Sequence, residues 1–84
     1  MPALRWRFPS AGHSALLRMV RWPDGTLVNM QGLDLSERQG EWTWTGEDSS
    51  GNPVPPGGLV WDVRWWGRTC RGRFREHLRV PGRP

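Results

Sequence analysis

Between Trp44 and Leu59 the chain reads W-T-G-E-D-S-S-G-N-P-V-P-P-G-G-L, a run of turn formers between two tryptophan-bearing segments that constrains the fold more than any other stretch. Gly46, Gly51, Gly57 and Gly58 can supply positive φ at tight turns. Asp48, Ser49, Ser50 and Asn52 can bond their own backbone, and Pro53, Pro55 and Pro56 hold φ near about −65°. Such a segment folds as an ordered corner rather than a loose linker between the two tryptophan-bearing stretches.

Their periodicity is that of strands. Leu4, Trp6 and Phe8 alternate with Arg5 and Arg7 until residues 9–12 break the pattern. Residues 14–22 form a second strand with two possible inward sets. Ala15, Leu17 and Met19 are preferred over Leu16, Arg18, Val20 and Trp22, because the second set would bring Arg18 inside. Pro23-Asp24-Gly25-Thr26 predicts a turn, and Leu27, Val28 and Met30 a short returning strand. Residues 31–40 are polar apart from Leu33 and Leu35 and are bracketed by Gly32 and Gly40; they read as a connection rather than a helix.

The segment Glu41-Trp42-Thr43-Trp44-Thr45 alternates cleanly, with both tryptophans on one face. Beyond the corner, Leu59, Trp61, Val63 and Trp65 share one face, and Val60, Asp62, Arg64 and Trp66 the other. Residues 67–72 form a turn, and Phe74, Leu78 and Val80 mark a last strand. About seven short antiparallel strands with turn signals every eight to twelve residues predict an all-β sandwich. At 84 residues the chain makes one small domain, over residues 1–84, with a thin core. Seven tryptophans and no tyrosine supply much of that core, and Trp66, on the polar face beside a glycine turn, is expected to be the most exposed of them.

The spacing of Trp44, Gly46, Asp48, Gly51, Val54, Pro55 and Gly57 resembles the Ig-like domain of the flagellar hook-capping protein and its relatives, which are appended to bacterial surface and secreted proteins. Upstream, Pro23-Asp24-Gly25-Thr26-Leu27-Val28 looks like the hairpin that opens that domain. The resemblance covers about residues 14–80, leaving 1–13 as an N-terminal strand or arm and 81–84 as a tail. It implies an Ig-like or fibronectin-III-like sandwich and a structural role, although the fold serves many functions. Two positions depart from the pattern. Leu59 stands where the family usually has a tyrosine, and Arg18 where it tends to place an apolar residue.

All twelve basic residues are arginine, and the formal net charge is +4. Arg64, Arg68, Arg71, Arg73, Arg75 and Arg79 gather late in the chain, opposed there by Asp62 and Glu76 alone. They suit either a polyanionic partner or the charged faces of two edge strands that resist aggregation, and the second is the preferred reading. Cys70 has no cysteine to pair with, and neither His13 nor His77 stands at zinc-ligand spacing from it. The carboxylates form no paired arrangement suited to acid/base chemistry. Glu47 and Asp48 beside Ser49 and Ser50 lack the alternation of a calcium loop, and Gly57-Gly58 lacks the lysine and helix of a phosphate loop. No catalytic residue, cofactor or metal is expected.

Residues 1–8 lack the apolar core of a leader, and no stretch approaches the ~20 apolar residues of a membrane span. The expectation is synthesis in the cytoplasm, then release by lysis or dedicated export. A non-enzymatic module docking on a larger repeating particle fits best: a phage virion component, decorating the capsid or accessory to the tail, or an appendage cap or accessory protein. Homo-oligomerisation is compatible with so small a core. Trp66, Arg64, Arg68 and Arg71 are the candidate contacts, since arginine and tryptophan anchor protein interfaces. Two alternatives stand beside it. One is a carbohydrate-binding module stacking sugars on Trp61 and Trp65 or on Trp42 and Trp44. The other is nucleic-acid binding by the arginine-rich terminal hairpin, with Trp66 and Phe74 as stacking platforms.

Overall fold

The computed structural model describes residues 3–82 and shows two antiparallel sheets with no helix. The strands are β1 (Ala3–Arg7), β2 (His13–Arg21), β3 (Leu27–Leu35), β4 (Gln39–Thr43), β5 (Gly57–Trp66) and β6 (Arg71–Val80). A four-stranded sheet runs in the order β3-β2-β5-β6, and β1 pairs with β4 in a two-stranded sheet. The two are layers of a β-sandwich.

Strand alternation decides what lies between the layers. Ala15, Leu17 and Met19 of β2 register with Trp65, Val63 and Trp61 of β5, and all but the half-buried Trp65 are buried. Leu4 of β1 closes this core from the second sheet, and the Trp42 ring lies 6.3 Å from that of Trp61. The preferred inward face of β2 is the observed one. Arg18 stands outside, opposite Asp62, so its departure from the family pattern leaves the register intact.

Six strands form where about seven were expected. β3 does not stop near Met30 but continues through residues 31–35, because its register with β2 turns Leu33 and Leu35 into the core. The polar residues between them are its other face, so the expected connection is strand. β4 ends at Thr43, and the corner after it contributes a single bridge, Glu47 to Pro53. β5 lies inside its sheet, so only β6 among the arginine-bearing late strands is an edge.

In two places an indole covers a glycine on the neighbouring strand. Trp6 faces Gly40, Trp65 faces Gly72, and a side chain on either glycine would run into the ring.

The corner from residue 44 to 58 holds itself together. Gly46 and Gly51 adopt φ of 87° and 84°, where a side chain would be strained. The Asp48 carboxylate accepts hydrogen bonds from the backbone N–H groups of Ser50 (2.9 Å) and Asn52 (3.0 Å), and the Val54 N–H donates to the Gly46 carbonyl at 2.9 Å. Both Trp44 Nε1 (2.9 Å) and Asn29 Nδ2 (3.0 Å) donate to the Glu47 carbonyl, tying the corner to β3. From β2, Arg21 donates to the carbonyls of Pro55 and Pro56, each at 3.2 Å. Its guanidinium passes so near Gly57 that a Cβ there would stand 2.9 Å from Nη2. Leu59, where the family pattern has tyrosine, is fully buried and fills the position with apolar contact.

Candidate docking face

The two-stranded sheet covers one side of the four-stranded sheet and leaves the other open. Arg64 and Trp66 of β5 point to that open side, and their partners on β6 are Arg73 and Arg71. With Leu16 of β2 these side chains line an open groove of about 780 Å³. Three of the four candidate contacts, Arg64, Trp66 and Arg71, therefore meet at one place. Arg68 sits beyond them in the 67–70 turn, beside a smaller hollow that Trp66 and Arg71 also border.

Trp66 is 48% exposed, yet Trp22 is more so at 58%. The expectation that Trp66 is the most exposed tryptophan is thus corrected. Trp22 follows β2 at the turn before β3, with its ring nearly perpendicular to the His77 ring 5.2 Å away. The groove and Trp22 mark opposite ends of the open face.

Between them lies Asp62, 7% exposed, beside the also buried Val60 on the same face. Arg73 reaches it diagonally across the strands with two hydrogen bonds, Nε to Oδ1 at 3.0 Å and Nη2 to Oδ2 at 2.9 Å. That hydrogen-bonded pairing holds the Asp62 carboxyl below its ordinary range, with the charges of Arg73, Arg75 and Arg64 adding to it and partial burial opposing. The same pairing raises Arg73. Asp62 pairs with one arginine, and among the described residues the exposed Arg64, Arg71, Arg75 and Arg79 form no salt bridge, so the open face is positive.

The stacking alternatives fail on geometry. Trp44 and Trp61 are buried, so neither tryptophan pair forms a platform that a sugar could reach. Trp66 lies on the open side, while Phe74, opposite Val63, lies on the other, so one nucleic-acid strand could not stack on both.

His13 and Cys70, far apart in sequence, meet in space with Nε2 3.4 Å from Sγ. His13 is buried and stacked on Phe8 at 3.8 Å, and it fits because residue 67 is glycine. The pair clasps β2 to the hairpin turn. Sequence spacing concealed it, since the antiparallel pairing of β2 with β5 brings His13 to the hairpin end. Among the described residues no three His, Cys, Asp or Glu side chains group closely enough to hold a metal ion.

Among solved structures, FlgD from P. aeruginosa superposes on this chain with a TM-score of 0.65 at 22% identity, over 92% of this chain and 60% of FlgD. The chain thus has a FlgD-type fold and spans less than two thirds of FlgD's length. No family model and no curated protein matches it.

Proposed function

We propose that the chain is a non-enzymatic assembly module that docks through the open face of its four-stranded sheet on a larger repeating structure, of the appendage-cap or accessory kind. The observation that carries this reading is the convergence of Trp66, Arg64 and Arg71 with Leu16 at one open groove. An aromatic ring ringed by arginine stems is the composition of an interface anchor, and groups left in water are free to pair with a partner. The FlgD-type fold favours an appendage over a phage virion, although a virion accessory would use the same face. On this reading the chain acts outside the cytoplasm as part of the assembly.

Density-gradient sedimentation of cells and culture fluid that contain the protein tests the proposal. The chain is expected to travel with large particles at a fixed ratio. A chain that stays at the top as a small soluble species contradicts the reading.

A further inference from the structure

We infer that the free edge of β6 receives an extended acidic segment of a protein partner, added as a fifth strand to the four-stranded sheet. The inference rests on the docking reading above and gives the partner its chemistry.

Among the described residues β6 pairs with β5 alone, so its alternate N–H and C=O groups on the far side have no strand to bond. Along it, Arg71, Arg73, Arg75, His77 and Arg79 occupy every second position, all exposed and all on the open side. Arg73 is engaged by Asp62. Among the described residues Arg71, Arg75 and Arg79 form no salt bridge. Side chains two apart on a strand stand about 6.8 Å from each other, and a strand added alongside repeats at the same distance. Acidic residues at alternate positions of that strand would each fall opposite an arginine, in the favourable cross-strand pairing of opposite charges.

The other side of β6 sets the intervening positions. Glu76 there is exposed, its carboxylate accepting from Trp61 Nε1 at 3.2 Å, while Phe74 is 38% exposed and Leu78 and Val80 are partly buried against the core. Apolar side chains on the incoming strand would extend the core over them. The pattern that fits the edge is therefore acidic-apolar alternation. A second copy of β6 would set arginine against arginine, which the like-charge rule disfavours. A nucleic-acid strand could neutralise the arginines, but it carries no N–H and C=O ladder for the edge and nothing directed at Leu78 and Val80.

The test titrates the whole chain calorimetrically with a short peptide alternating glutamate and valine. Controls are the same peptide N-methylated on the edge-facing amides, a lysine-valine peptide and a single-stranded oligonucleotide. Saturable binding to the glutamate-valine peptide is expected, weakened at least about tenfold by the double substitution Arg71→Glu/Arg75→Glu and by N-methylation, with no binding of the lysine peptide. Arg79→Glu, distant from Asp62, should weaken it as well, and circular dichroism verifies that each variant is folded. Binding that ignores the arginine substitutions or N-methylation overturns the inference. So does binding of the oligonucleotide without the peptide. If the wild-type chain and folded Arg75→Glu/Arg79→Glu, which leaves the groove residues intact, sediment equally with particles, the edge inference falls while the docking reading stands. If the chain binds the peptide as described but never sediments with particles, the edge stands and the docking reading falls.

Discussion

The proline-glycine corner and the β5–β6 hairpin are both rich in residues that could bind something, and they differ in how many polar groups remain free. In the corner, Asp48 is occupied by two backbone N–H groups, the Glu47 carbonyl accepts from two side chains, and Arg21 is bound to two carbonyls. In the hairpin, one arginine is held by Asp62, while Arg64, Arg68 and Arg71 surround a half-exposed tryptophan. The corner's polar chemistry is consumed in holding the fold. The hairpin's is available, which is why the docking reading attaches to it.

Substitutions should separate the two regions. Trp44→Ala should cost the most, about 3–5 kcal/mol, because it empties a buried site and removes the donor to Glu47; chemical denaturation measures it, and a loss below ~1 kcal/mol would mean that the corner is not structural. Gly51→Ala follows at roughly 1–2 kcal/mol, since its φ of 84° is strained for any side chain. A thermal melt should show that loss while binding to the partner is retained at temperatures where the variant is folded.

Asp62→Asn sharpens the contrast through pH. The folded-state pKa of Asp62 is depressed by Arg73, so its contribution to stability is complete above the unfolded value of about 3.9 and is lost as pH falls through the lower folded value. The stability gap between wild type and Asp62→Asn, followed by denaturation at a series of pH values, should be constant near neutrality and close in acid. The effect is modest, because the Arg73 side chain is 46% exposed. Trp66→Ala should change stability least, by about 0.5 kcal/mol or less, yet reduce co-sedimentation with particles. A variant that is stable and fully occupied on the particle would remove Trp66 from the docking face.

Period-two alternation identified the inward faces of β2 and β5, and the fixed glycine and proline spacings identified the corner, because those signals are local. What escaped was set by pairing across the sheet. Leu33 and Leu35 belong to a strand only once β3 is in register with β2. Asn29 and Arg21 reach the corner from other strands, and nothing in the 44–59 run points to them. Phe74 and Trp66 look alike as exposed aromatics until the β5–β6 register puts them on opposite faces. The candidate docking residues were partly legible for the opposite reason: Trp66 and Arg71 flank one short turn, so proximity in sequence already implied proximity in space.

Hydrogen-deuterium exchange of the chain, free and bound to its particle, tests the central claim most directly. The account predicts new protection along β6 and the 67–70 turn, with the corner at residues 44–58 unchanged. Protection confined to the corner, with the amides of β6 exchanging as in the free chain, would contradict it.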